Sequence, residues 1–402
     1  MKPKMPGIVG IINTRFEAEP IPTEIEALVQ PLMYYPWYRI DRLQLPGISA
    51  ACVHTGILHD KSVLSTNDGI HILLHGEIYN DDIYEMSQLE YIRKCYKENG
   101  RDFVKKLNGS FAILLVDEQK GVVILATDIT RSKPIICLRQ GSRLYIAPEL
   151  KSLLQVPGFD PQPNIAAVID VMILGFVTNR RTLVEDAYFL ESGSIMEISA
   201  NGTKTSRYWH YNINEQSKES GIESYEEGFA EVLQQAVKRQ MRTSHKCGIF
   251  LSGGCDCRGI LGCYLHEGKQ PTIISYGVPS VGNKYSDVAI AKKLAQFAGA
   301  RHIHYDYDLS DFFSSIEQVT CILDGIGRPI AEWPIHKNYG KNMELRLFLS
   351  VTNVLGGMIC YCRTKQLCLP ALLYTHWTSL ISILSLLGNG QRIISHNYLL
   401  IV

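Results

Sequence analysis

The stretch Ile249-Phe250-Leu251-Ser252-Gly253-Gly254-Cys255-Asp256-Cys257-Arg258 constrains the fold of this chain more than any other. An apolar run, two adjacent glycines and a helix-compatible continuation spell a buried strand that turns through a glycine loop into a helix. Such a turn leaves backbone N–H groups at the helix start, where the helix dipole adds positive potential, and anions bind there. Ser252 adds a hydroxyl. Asp256 adds a carboxylate, which would repel an anion unless a cation lay between them, and Mg²⁺ shared by Asp256 and phosphate oxygens satisfies both charges. The chain has no G-x-x-x-x-G-K-[ST] pattern, so this is not a Walker loop. The plain alternative, a strand–helix turn capped by an aspartate, needs no ligand.

The rest of the chain supplies two different grammars. Gly7–Ile12 and Ile70–Leu74 read as strands, the latter entering His75-Gly76-Glu77-Ile78-Tyr79-Asn80, while residues 23–33 and 88–99 have helical spacing. Strands follow at short intervals over 111–116, 122–126, 135–138, 193–198 and 206–210. Few helices intervene, which predicts layered antiparallel sheets and a first domain over residues 1–210. Residues 211–224 are polar and read as a linker. From 225 to 350 the pattern alternates: a helix over 225–242, then strand, helix, strand, helix and strand at 248–251, 257–266, 272–276, 286–299 and 301–305. That alternation predicts an α/β domain on a parallel sheet.

After Glu344 the sequence holds no Asp or Glu, although the whole chain carries 40 of them. Residues 351–402 therefore read as a divergent apolar tail, compatible with a shifted reading frame or a replaced C-terminal half. The run Leu367–Leu387 is broken by Pro370, His376 and Trp377, which favours a buried helix pair over a membrane span. A formal net charge of +0 gives no field that would draw in nucleic acid or an acidic membrane, so neither partner is expected. The 11 scattered cysteines, with no signal-peptide pattern before them, predict reduced thiols and a cytoplasmic protein. Their spacing is not that of a zinc site.

The loop Leu251-Ser252-Gly253-Gly254-Cys255-Asp256 resembles the SGGxDS pyrophosphate loop of the N-type ATP pyrophosphatases. Ile274-Ser275-Tyr276-Gly277 and Tyr285-Ser286-Asp287-Val288-Ala289 follow in the order seen there. Gly7-Ile8-Val9-Gly10, His75-Gly76-Glu77, Asn108-Gly109-Ser110-Phe111 and Glu149-Leu150-Lys151-Ser152-Leu153 precede it. Together these landmarks are similar to the glutamine-hydrolysing asparagine synthetase family over roughly residues 5–350.

That resemblance implies an α+β N-terminal nucleophile hydrolase-like sandwich followed by an α/β adenine-nucleotide α-hydrolase-like domain. It implies ATP and Mg²⁺, a small-molecule or peptide carboxylate substrate and amide formation through an acyl-adenylate. Carried over by position, ATP contacts fall on Leu251, Ser252, Gly253, Gly254, Asp256, Cys257, Tyr276, Gly277 and Ser350, the metal on Asp256, and an adenylate-proximal role on Asp324.

The departures are informative. Pro6 stands where the glutaminase has its N-terminal cysteine, and proline offers neither thiolate nor primary amine. His75 replaces the asparagine of the glutamine pocket, leaving His75, Gly76 and Glu77 as its remnant, and Gln88 stands where an aspartate is usual. Leu347-Phe348-Leu349-Ser350 opens like the family's adenylate-closing loop but continues Val351-Thr352-Asn353, without its Gly-Asp-Glu. Glutaminase activity is thus expected to be absent, with ammonia or an amine as nucleophile. In this the chain resembles the β-lactam synthetases and the lasso-peptide macrolactam cyclases, which share the fold and lack the cysteine. A catalytically degenerate relative that only binds ATP fits the same departures, and a homodimer is among the assemblies the sequence leaves open.

Overall fold

The computed structural model describes residues 6–15, 24–33, 36–56, 62–212, 221–242, 247–277 and 286–306, with Thr320, Asp324 and short strands at 347–349, 360–363 and 366–367.

Two six-stranded antiparallel sheets form the first unit. One runs β10 (Ala187–Phe189), β8 (Ile136–Gln140), β9 (Arg143–Ala147), β1 (Gly7–Asn13), β3 (Ile48–His54) and β2 (Arg39–Leu45). The other runs β12 (Gly202–Arg207), β11 (Ser194–Ser199), β7 (Val122–Thr127), β6 (Gly109–Asp117), β5 (Ile70–Ile78) and β4 (Leu64–Asn67). The central strands read as unbroken apolar runs because both of their faces are covered. In β6, Ala112 and Leu114 face the core between the sheets, while Phe111, Ile113 and Leu115 face the outer core under α2 (Gln88–Asn99). In β1, Ile8 and Ile12 face the inter-sheet core, while Val9 and Ile11 pack with α1 (Glu24–Val29) and α3 (Leu150–Leu153). Four layers result, helix on sheet on sheet on helix. Ser87 and Glu90 fix the start of α2 with a reciprocal capping box, Ser87 Oγ accepting from the Glu90 N–H at 3.2 Å and the Ser87 N–H donating to Glu90 Oε2 at 2.8 Å.

Several elements of this unit escape the sequence pattern. The pair β2 and β3 is carried by small or alternating residues, and α4 (Ile165–Leu174) is apolar on a face that stays exposed. The last strand of the unit is β12 over Gly202–Arg207, earlier than the expected 206–210. It is a polar, exposed edge strand, so it carries no apolar signal.

The second unit begins with α5 (Ile222–Gln240) and continues β13 (Cys247–Phe250), α6 (Cys255–His266), β14 (Thr272–Gly277), α7 (Asp287–Phe297) and β15 (His302–Asp306). Its sheet has the order β15-β14-β13-β16-β17-β18, with β16 (Leu347–Leu349) parallel to β13. Strands β17 (Cys360–Arg363) and β18 (Gln366–Leu367) add antiparallel at the edge, inside the segment read from sequence as a tail. The remainder of the Leu367–Leu387 run lies outside the described residues. Among the described residues no helix is long and apolar enough to cross a membrane.

The two units touch through the glutamine-pocket segment. Tyr79, one residue past β5, packs against the core that α5, α6 and α7 form with β13 and β14. Two residues on, the Asp81 carboxylate accepts from Arg239 at 3.0 and 3.3 Å, and from Arg242, the one in the last turn of α5 and the other just beyond it.

Candidate nucleotide site

Leu251 is buried and donates its N–H to the Ile274 carbonyl at 2.8 Å, which holds the end of β13 against β14. The chain then turns. Ser252 Oγ accepts from the Gly254 N–H at 3.2 Å and donates to Cys257 Sγ at 3.3 Å, so the hydroxyl braces the loop from inside. The Gly253 N–H donates to Asp287 Oδ1 at 3.2 Å. A Cβ at 253 would stand 2.6 Å from that oxygen and 3.0 Å from Ile290 Cδ1, so a side chain there would push the Asp287 carboxylate off the N–H. Gly254 caps α6 without a side chain, leaving the helix N-terminus open, and Asp256 is exposed in the first turn. Exposed Cys255 accepts from Arg258 Nη2 at 3.0 Å.

Tyr276 and Gly277 end β14. The Tyr276 ring is 42% exposed and meets Phe250 edge-on, with centroids 6.3 Å apart. Leu251, Ser252, Gly253, Gly254, Asp256, Cys257, Tyr276 and Gly277 thus gather at the carboxyl ends of β13 and β14. This is the edge at which open α/β sheets receive ligands. Ser350 directly follows β16 and lies outside the described residues.

The donors suit Mg²⁺ held jointly with phosphates. Asp256 offers an exposed carboxylate in the first turn of α6, and the Gly253–Asp287 bond brings the start of α7 to the loop. Among the described residues no cluster of three or more His, Cys, Asp or Glu could hold a metal by itself. Mg²⁺ keeps water and substrate oxygens in its shell and needs only one or two carboxylates, so such a loop is compatible with it. Asp287 is absent from the sequence-derived set; the Ser-Asp start of α7, with Ser286 Oγ accepting from the Ala289 N–H, reads simply as a helix cap.

Behind the loop, Ser275 Oγ lies 2.8 Å from His302 Nε2 and 3.0 Å from His304 Nδ1, so the two histidines share one buried hydroxyl. Burial, then the neighbouring His304 and Lys292, holds the His302 pKa below its ordinary value.

The glutamine-pocket remnant is built into turns. Gly76 has φ +119°, and a Cβ there would fall 1.9 Å from the Ser110 carbonyl oxygen, so β5 and β6 close on each other only through glycine. Glu77 accepts from the Tyr79 hydroxyl at 3.3 Å. Asn80 accepts from the Asn108 N–H at 2.7 Å and donates to the Lys106 carbonyl at 2.8 Å. Gln88 accepts from the Ile78 N–H at 2.8 Å. His75 Nδ1 lies beside Gly7, at the head of β1, and Pro6 precedes that strand. The nearest thiol in register is Cys52, opposite Ile8, but it is fully buried and its pKa is pushed far above the ordinary thiol range by burial and then by Asp41. It is no substitute nucleophile.

Asp324 sits against the first unit. Its carboxylate accepts from the N–H groups of Leu150 and Lys151 and lies 3.6 Å from Lys151 Nζ, which also pairs with buried Glu149 at 3.0 Å. Burial pushes the Asp324 pKa up, against the pull of Lys151.

Two family models meet this geometry. The glutamine amidotransferase domain matches residues 60–209, and asparagine synthase matches residues 228–339. This class joins an amidotransferase sandwich to a nucleotide-binding α/β domain. The chain thus carries a glutamine amidotransferase domain and an asparagine synthase domain, and curated relatives named asparagine synthetase (glutamine-hydrolyzing) match it at low identity.

Relatives include a Methanocaldococcus jannaschii protein provisionally named asparagine synthetase (glutamine-hydrolyzing) 2. It is 26% identical over 297 residues, which are 71% of this chain and 56% of the relative. Asparagine synthetase (glutamine-hydrolyzing) 2 of Bacillus subtilis is 28% identical over 218 residues, 49% of this chain and 29% of that one. The chain thus spans about half the length, or less, of the curated relatives it matches. Among solved structures, the B. subtilis glutamine phosphoribosylpyrophosphate amidotransferase complexed with ADP and GMP overlaps 74% of this chain and 65% of its own, at 15% identity and a TM-score of 0.35.

Proposed function

We propose that the chain binds ATP·Mg²⁺ at Leu251–Asp256 and joins a carboxylate to ammonia or an amine through an acyl-adenylate. The observation that carries this reading is the β13–loop–α6 turn itself, with an open helix N-terminus, a serine hydroxyl and an exposed first-turn aspartate at the carboxyl edge of a parallel sheet. The asparagine synthase match over residues 228–339 supports ATP-dependent amidation in general. In this reading the loop N–H groups and Ser252 bind the pyrophosphate portion, Asp256 faces the cation, and exposed Tyr276 offers its ring to the adenine side. Mg²⁺ held there by Asp256 would supply charge neutralisation at the pyrophosphate. The helix dipole and loop donors supply the remaining stabilisation of that charge.

Nitrogen from glutamine is not part of the proposal. Pro6 supplies no nucleophile, Cys52 is buried, and the pocket residues Glu77, Asn80 and Gln88 are spent on turns. ATP–pyrophosphate exchange with a panel of amino-acid and peptide carboxylates tests the reading, and exchange with at least one is expected. One observation favours a second reading, ATP binding without turnover: Leu349-Ser350 is not followed by the Gly-Asp-Glu of the closing loop. Measurable ATP affinity with no exchange on any carboxylate would select it.

A further inference from the structure

The nucleotide loop already holds an anionic group of this chain. Gly253, its first glycine, donates its N–H to Asp287 Oδ1 at 3.2 Å, while Gly254 donates to Ser252 Oγ. Asp287 is the first residue of α7, 34 positions along the chain, and its side chain is exposed. A backbone N–H at the mouth of an anion-binding turn is the donor a pyrophosphate oxygen would take. Glycine at 253 permits the contact, because a Cβ there would displace the same carboxylate oxygen.

We infer that Asp287 is a gate for the loop: its carboxylate stands in for a phosphate oxygen on the Gly253 N–H, and nucleotide binding requires an exchange of acceptors. The inference rests on the nucleotide reading of Leu251–Asp256 and adds a residue to it. The resident carboxylate keeps the N–H aligned when no nucleotide is bound. It also sets an electrostatic threshold, since an ATP polyanion without a counter-cation meets Asp287 and Asp256 together. Asp287 is on this account a positioning residue, not a catalytic one. Removing it frees the donor and lowers the threshold.

The test uses the full chain as wild type and as Asp287→Ala, Asp287→Asn and Asp287→Glu. ATP affinity is measured by titration calorimetry, once in EDTA and once with excess MgCl₂. Deuterium uptake of the peptide over residues 250–258 is followed without nucleotide. Deuteration of that peptide should be faster in Asp287→Ala and restored in Asp287→Glu, a readout independent of ATP. In EDTA the alanine variant should bind ATP roughly 3- to 10-fold tighter than wild type, as expected when one charge-assisted acceptor no longer competes. Asparagine, a neutral acceptor, should fall between, and excess Mg²⁺ should shrink the difference. Wild-type binding with an unchanged or weaker alanine variant overturns the gate and leaves the nucleotide reading standing. Binding by neither protein at millimolar ATP overturns that reading, and the gate with it.

Discussion

Ser252 and Cys257 are the pair through which the loop can be tested in both directions. The Ser252 hydroxyl accepts from the Gly254 N–H at 3.2 Å and points at Cys257 Sγ, 3.3 Å away. Ser252→Ala removes a donor aimed into the loop. A hydrogen bond to a charged group contributes about 1.5–3 kcal/mol, and for this half-buried hydroxyl we take the lower end, about a 10-fold loss in ATP affinity. The fold should scarcely notice, because the Gly254 N–H is exposed and water replaces the serine oxygen; a change within about 0.5 kcal/mol is expected. Cys257→Ser works the other way. It places a second hydroxyl within reach of the first, where a thiol is only a weak donor. A gain of about 1 kcal/mol, roughly 5-fold in affinity, follows.

Titration calorimetry of ATP with MgCl₂ on the full chain reads both variants, with thermal midpoints as the control for folding. Unchanged ATP affinity in Ser252→Ala, at an unchanged midpoint, would refute the phosphate role of the hydroxyl. A weaker Cys257→Ser variant would show that the sulfur packs the loop and that no donor is missing.

Other outcomes follow from named contacts. Purified protein should release no glutamate from glutamine above a heat-killed control, because Pro6 carries no nucleophile and Cys52 is buried; steady release would overturn this. Asp117 is buried and its pKa stays below the ordinary carboxylate value because, against the cost of burial, the Lys120 N–H, the Tyr96 hydroxyl and the Lys120 ammonium all favour its charge. Asp117→Asn should therefore cost about 1–3 kcal/mol in denaturant titrations, and the native contribution should persist above pH 3.8 and vanish as pH falls through the depressed value.

His302 has the opposite sign of charge change. Its pKa is lowered, so the folded state prefers the neutral ring, and stability should fall as pH drops below 6.5 toward the folded-state value. His302→Gln should flatten that slope in thermal melts. The Asp81 contacts to Arg239 and Arg242 are largely solvent-exposed, so a double-mutant cycle of Asp81→Asn with Arg242→Met should return a coupling of no more than about 1 kcal/mol. A coupling of several kcal/mol would mean that the units are locked at this point.

The sequence by itself determined the loop and the two grammars around it. Apolar runs, paired glycines and helical spacing are local signals, and β13, α6, β14, α7 and β15 lie within a few residues of where those signals place them. Pro6 likewise needs no structure, since its chemistry is absent in any fold. What only the tertiary structure decided are long-range matters. Strand β12 is a polar edge that exists because β11 pairs with it, and α4 turns an apolar face outward that periodicity would bury. Asp324 is given an adenylate-proximal role by the resemblance, yet its carboxylate is taken by the N–H groups of Leu150 and Lys151, more than 170 positions away. In the sequence Asp287 is only part of the landmark over residues 285–289 until the fold brings it onto the Gly253 N–H. Propensity acts over a few residues, whereas the partner of a carboxylate is chosen by whichever donors the packed chain delivers to it.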